Sequence, residues 1–277
     1  MTIISCIKSW LAGHWNAIFL LISLGWVSSV AAEAGIDHRP NILLILADDL
    51  GYSDIGSYGS EISTPNLDQL ANNGLRFSSF YTTASCAPTR AMLLTGVDSH
   101  RAGVANISEA LTPEQAHSPF YHGTLNHNVI TIARLLNDAG YDTAMSGKWH
   151  LGYADPSLLP INRGFKQTVT MPFSGGDNWT QQSYVPHYDK TLWLENGKEI
   201  SVPEDFYSSK FIVDKAIQQL TNNQKDQDEK RKPFFSYVSF QAVHIPVQAP
   251  KKFTEKYIGR YSEGWHALRK NRQNAVK

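Results

Sequence analysis

Three apolar runs in this chain each stop at ionisable residues, and helix-like stretches lie between them. The run Ile42–Ala47 in "NILLILADDLG" ends on Asp48 and Asp49. "YDTAMSGKWH" ends on Lys148 and His150, and "PFFSYVSFQAVH" ends on His244. Continuous apolar runs of this length fit strands buried on both faces of a parallel sheet. Strands that alternate with helices need right-handed crossovers, which cover the sheet on both sides. The expected fold is therefore α/β: a three-layer α/β/α sandwich on a mostly parallel, mixed sheet. Ligands of such sheets bind outside the carboxyl ends of the strands. The polar residues at the ends of these runs should then gather on one edge.

The intervening segments support this plan. "TPNLDQLANNG" reads as a helix with Thr64 as N-cap, Pro65 in the first turn and Gly74 as the stop. Leu67, Leu70 and Ala71 form its apolar stripe. "LRFSSFY" (residues 75–81) alternates like a second strand. Residues 129–139 read as a helix with Val129, Ile132, Ala133 and Leu136 on one face, stopped by Gly140. Residues 141–146 form the next strand. Residues 208–220 form a helix carrying Val213, Ala216, Ile217 and Leu220 on one side, and residues 233–243 a buried strand. Residues 155–203, rich in Gly, Pro and aromatics, suggest a long irregular excursion with a small hairpin. "KDQDEKRK" (residues 225–232) reads as a solvated loop.

The 277 residues carry 42% hydrophobic and 18% charged residues with a formal net charge of zero, which suits a globular domain. Neutrality argues against a nucleic-acid binder or a polybasic membrane-surface protein, since both need a positive field. The start of the chain differs from the rest. Lys8 and His14 precede the apolar stretch Ala17–Val27, and the small residues Ser28, Ser29, Ala31, Ala32 and Ala34 follow. That is the pattern of a secretory signal peptide over residues 1–34, with an apolar core too short for a stable membrane span. A periplasmic or secreted protein is expected, with residues 35–277 as the mature chain.

Cleavage removes Cys6 and leaves Cys86 as the only cysteine. A lone cysteine in an oxidising compartment is an inert buried residue, a partner in an intermolecular disulfide, a reactive thiol or a site of modification. Its setting, "CAPTRAMLLTG", favours a functional role. Residues 87–95 read as a helix that tolerates Pro88 in its first turn, and Arg90 lies one turn on, on the same face as Cys86. A helix N-terminus with an arginine suits a thiolate or a bound oxyanion. Asp48 and Asp49 are either turn residues or ligands for a hard divalent cation. In an extended "GKWH", Lys148 and His150 point to one side and Trp149 to the other, so the pair could clamp an oxyanion and move a proton. His244, alone, reads as a polar cap.

Together these segments resemble the type I sulfatases of the alkaline-phosphatase superfamily. "CAPTRAMLLTG" resembles the family pattern C-x-P-[S/T]-R-x-x-L-L-T-G, and "RPNILLILADDLGYSDIGSYG" resembles its opening segment. "GYDTAMSGKWHLG" looks like its second signature and "FQAVHIPVQAP" like the segment bearing its active-site histidine. "PEDFYSSKFIVDKAIQQL" leans towards arylsulfatases rather than carbohydrate sulfatases.

The resemblance implies hydrolysis of a small-molecule sulfate ester by a formylglycine made from Cys86. A formylglycine-generating enzyme would act on residues 86–90 before folding, reading Pro88 and Arg90. The hydrated aldehyde attacks sulfur with one hydroxyl and releases the alcohol; its second hydroxyl, deprotonated, expels sulfate. By the same resemblance Asp48, Asp49 and the group derived from Cys86 bind Ca2+, with Mg2+ as the other candidate. Arg90 holds the formylglycine hydroxylate, His150 takes the proton of the second hydroxyl, and Lys148 and His244 bind sulfate oxygens.

The resemblance is to the N-terminal portion of these enzymes. Their second pair of metal ligands, an Asp–Asn after a later strand, has no counterpart after His244, nor do their later lysine and C-terminal subdomain. A truncated chain is expected to be inactive or nearly so, with an apolar sheet edge exposed. Other readings are a non-catalytic remnant or partner-binding protein with this fold, a phosphonate or phosphate monoester hydrolase, and a cysteine hydrolase using Cys86 with His150 or His244. "NIS" at Asn106 and "NWT" at Asn178 are acceptor triplets for N-glycosylation.

Overall fold

A computed structural model describes residues 37–186, 188–225 and 232–276. The segment expected to be a signal peptide, residues 1–34, and nearly all of the expected 225–232 loop lie outside the described residues. The six strands β1 (Ile42–Leu46), β2 (Asp142–Lys148), β3 (Gln167–Met171), β4 (Trp193–Glu195), β5 (Lys198–Ile200) and β6 (Phe234–Ser239) form one sheet. Their order is β1-β6-β2-β3-β4-β5. The pairs β1–β6, β6–β2 and β2–β3 are parallel, whereas β3–β4 and β4–β5 are antiparallel. The sheet is mixed, as expected. No helix among the described residues is long and apolar enough to cross a membrane.

Helices cover both faces. On one side α2 (Cys86–Thr95) and α3 (Ile132–Asp138) pack with Met145, Trp149, Phe165, Phe235 and Tyr237 around a core containing Ala87, Ala91 and Leu94. On the other side α4 (Ser208–Lys225) contributes Phe211, Ile212 and Ala216 to a core with Val169, Met171, Trp193 and Val238. Alternating side chains of β6 serve opposite cores, since successive strand residues face opposite sides. α1 (Pro65–Asn73) buries no residue, and α5 (Gly264–Val276) buries none either.

Several elements differ from their sequence patterns. β1 is not buried on both faces: it sits at the sheet edge, with Ile42, Leu44 and Leu46 against the core and Leu43 and Ile45 exposed at 53% and 46%. The expected strand at residues 75–81 does not form. Alternation alone does not make a strand without packing partners, and Leu75, Phe77, Phe80 and Tyr81 stay exposed. α3 starts later than expected because Thr131 caps it, its hydroxyl accepting from the Arg134 N–H at 3.1 Å. α4 turns Phe211, Ile212 and Ala216 to the core, so Val213 and Ile217, expected on the packed stripe, are exposed. The excursion after residue 155 contains the expected hairpin, β4–β5, and also β3, whose "QTVTM" was hidden within it.

Candidate active site

β1, β6 and β2 are parallel neighbours, so their carboxyl ends open on the same edge of the sheet. Asp48 follows β1, and its backbone is tied to the chain beyond β6: its N–H donates to the Ala242 carbonyl at 2.9 Å, and its carbonyl accepts from the Val243 N–H at 2.8 Å. Lys148 is the last residue of β2. Its ammonium meets Asp48 Oδ2 at 2.5 Å. Arg90, on the inner face of α2, places Nη2 at 3.4 Å from Asp48 Oδ1. All three are buried: Lys148 is 0% exposed, Arg90 1% and Asp48 4%. Burial pushes the Asp48 carboxyl up, but Lys148 and Arg90 outweigh it and hold the group below the usual range.

Arg90 is anchored by three bonds from Nη1. They run to the Lys148 carbonyl at 2.9 Å, to the Tyr237 hydroxyl at 3.3 Å and to Ser239 Oγ at 2.5 Å. Among the described residues its Nε is buried without a partner, and Nη2 makes no hydrogen bond beyond its 3.4 Å ion pair with Asp48. A buried guanidinium with donor capacity to spare suits an oxyanion.

Cys86 is the first residue of α2, and its Sγ lies 3.2 Å from His150 Nδ1. His150 reaches it from the end of β2 because its backbone turns into the left-handed region, at φ 57°. A non-glycine residue there is uncommon and marks sites where geometry is imposed by surrounding structure. "GKWH" is therefore not extended through His150, although Trp149 does turn inward and packs on Phe165. Burial pushes the Cys86 thiol up. The hydrogen bond with His150 and the charge of Lys148 pull it down further, to about 7 from 9.0.

Beyond His150 stands Glu109, which no sequence pattern marked. Its Oε2 lies 3.2 Å from His150 Nε2, and it belongs to a short 3₁₀ turn, Ser108–Ala110. Burial raises its carboxyl, but His150 holds it down to about 2. As an acid in an irregular loop with neither period nor motif, it left no signal in the sequence. His244, from the loop after β6, lies 3.6 Å from Asp49 Oδ2, and its Nε2 is 3.4 Å from the Tyr184 hydroxyl. Ser174 Oγ sits 2.7 Å from that hydroxyl. The seven residues singled out from the sequence fall into three contact groups, Asp48 with Arg90 and Lys148, Cys86 with His150, and Asp49 with His244; Glu109 extends the second and Tyr184 the third. Two clefts of about 400 and 520 Å³ lie against α5, and none of these residues lines either.

The implied groups fit unequally. A carbon–oxygen group in place of the Cys86 thiol would stand beside His150 and in the field of Lys148, which suits formylglycine. A divalent cation does not fit the described residues. Both Asp48 oxygens are engaged by cations, Asp49 is exposed, and no group of three or more His, Cys, Asp or Glu is placed to hold a metal among the described residues. A hard cation wants about six to eight oxygens.

The family model for sulfatases matches residues 40–277. This chain belongs to the sulfatase family. It is 41% identical over 249 residues to an uncharacterised sulfatase of Schizosaccharomyces pombe, covering 86% of this chain and 44% of that one. It is 36% identical over 268 residues to the arylsulfatase of Klebsiella aerogenes, covering 95% of this chain and 55% of the other. Among solved structures, that of Ps i-CgsB is 30% identical with a TM-score of 0.67, covering 86% of this chain and 52% of that one. This sulfatase chain spans about half the length of the relatives it matches.

Proposed function

We propose that this sulfatase chain carries the cysteine side of an active site that hydrolyses sulfate monoesters, with aryl sulfates as the favoured class. The observation that carries the reading is the setting of Cys86. It begins a packed helix that also carries the buried Arg90, touches His150, and lies in the field of Lys148 at the end of β2. Oxidised to formylglycine, the residue would supply a hydrated aldehyde as nucleophile. His150 Nδ1 is placed to take a proton from the group at position 86. Arg90 and Lys148 supply positive charge for sulfate oxygens, and His244 extends it towards the leaving group. Asp48 keeps both cations in place. The kinship to arylsulfatases supports the substrate class, and the leader-like segment supports export to the periplasm or medium.

The test is to produce the chain together with a formylglycine-generating enzyme and to measure the mass of the peptide containing Cys86. An aldehyde in place of the thiol is expected; a fully retained thiol overturns the reading. A second reading has one observation in its favour. The contact chain Cys86–His150–Glu109, with a thiol held at about 7, is also the arrangement of a thiol hydrolase. The same measurement separates the two, since an aldehyde at position 86 removes the thiol nucleophile.

A further inference from the structure

Glu109 lies outside the signature segments quoted from the sequence, yet it is the second group in contact with the His150 ring. The two ring nitrogens face different neighbours: Nδ1 meets Cys86 Sγ at 3.2 Å and Nε2 meets Glu109 Oε2 at 3.2 Å. An ionised carboxylate only accepts hydrogen bonds, so the nitrogen facing it must carry a proton. Glu109 Oε2 also receives the Ser108 hydroxyl at 2.9 Å, which fixes that oxygen as an acceptor. The His150 and Glu109 side chains are only 4% and 9% exposed, which leaves water little room to compete for Nε2.

We propose that Glu109 is a positioning residue: its carboxylate keeps the His150 proton on Nε2 and leaves Nδ1 bare towards Cys86. A neutral imidazole holds one proton, so fixing it on Nε2 leaves the Nδ1 lone pair free. When the group at position 86 gives up a proton, that proton moves to Nδ1. The resulting imidazolium is stabilised by the Glu109 charge on its far side, as a carboxylate orients and steadies a histidine base elsewhere. Without Glu109 the ring could hold its proton on Nδ1, where it would donate to position 86 instead of accepting.

The proposal rests on the reading of Cys86 as the reacting position, but its test does not need the aldehyde. The measurement is the long-range 1H–15N spectrum of 15N-histidine-labelled Cys86→Ser protein, in which position 86 stays a neutral hydroxyl at alkaline pH, with His150 assigned by the loss of its signals in His150→Gln. The expected result is a protonated Nε2 and a bare Nδ1. Glu109→Met, similar in length but with no acceptor, should lose that preference; Glu109→Gln, which keeps an acceptor oxygen, should retain it. Alkylation of Cys86 by iodoacetamide at neutral pH should slow several-fold in Glu109→Met. A proton found on Nδ1 in the Cys86→Ser chain with Glu109 intact overturns the proposal even if a Glu109 variant fails to fold. Unchanged His150 signals in folded Glu109→Met overturn it as well. Either negative result leaves the aldehyde measurement at Cys86 untouched, and a retained thiol leaves the tautomer result standing.

Discussion

At the scale of single residues, the site is governed by buried charge. Asp48, Arg90 and Lys148 are taken out of water together, and each is tolerable only because the others are there. Glu109 and His150 form a second, separate pair, and its pH dependence has a definite sign. The folded Glu109 carboxyl is depressed to about 2 from 4.5. Its contribution to stability is therefore present above pH 4.5 and is lost as the pH falls towards 2. Glu61, held by Arg272 and also lowered to about 2, acts in the same window, so a variant is needed to isolate Glu109. In denaturant titrations across that window, Glu109→Gln should lose about 2 kcal/mol less than the unaltered chain. Equal acid limbs would show that the contact contributes nothing. The same scale decides the acceptor triplet at Asn178. That side chain is buried, giving its amide to the Pro246 carbonyl at 3.3 Å and to Gln248 Oε1 at 3.2 Å. Its Oδ1 accepts from Gln241 at 2.9 Å. A glycan there is incompatible with the fold.

At the scale of elements, the end of β2 shows how backbone geometry places chemistry. Gly147 has a φ of +110°, and a Cβ on it would stand 1.8 Å from the Ser239 carbonyl oxygen. The close approach of β2 to β6 that puts Lys148 beside Asp48 therefore requires glycine. Gly147→Ala should destabilise the chain by about 3 kcal/mol or more, read from the midpoint of chemical unfolding. A loss under about 1 kcal/mol would mean that the strands can separate without harm. The outer face of β1 and the uncovered stripe of α1 are the converse case. Among the described residues Leu43, Ile45 and Leu70 keep about half or more of their apolar surface exposed, the kind of surface that invites association.

At the scale of the whole molecule, the described residues bring together one side of a site. The chain spans about half the length of its relatives, and its acids do not make a cation site by themselves. Calorimetric titration with Ca2+ should show no saturable binding tighter than about 1 mM. With the aldehyde installed and calcium present, turnover of an aromatic sulfate by this chain alone should remain at background. Tight binding together with robust turnover would overturn both expectations.

Much of this was legible in sequence. The apolar runs of β1, β2 and β6, the helix α2 with Pro88 in its first turn and the order of the polar residues behind them are local features, and local patterns report on local structure. Asp48, Asp49, Cys86, Arg90, Lys148, His150 and His244 could be picked out for that reason. What sequence alone could not decide was anything set by contact between distant segments. Whether Leu43 and Ile45 are covered depends on which strand lies beside β1, and whether residues 75–81 form a strand depends on packing partners. The face of α4 that is buried was misjudged because Phe211 and Ile212, not Val213 and Ile217, meet the sheet. Glu109 reaches His150 across 41 residues of chain. Periodicity and motif describe a residue's neighbours along the chain, whereas a hydrogen bond or a covered face is a property of neighbours in space, and only the folded structure chooses those.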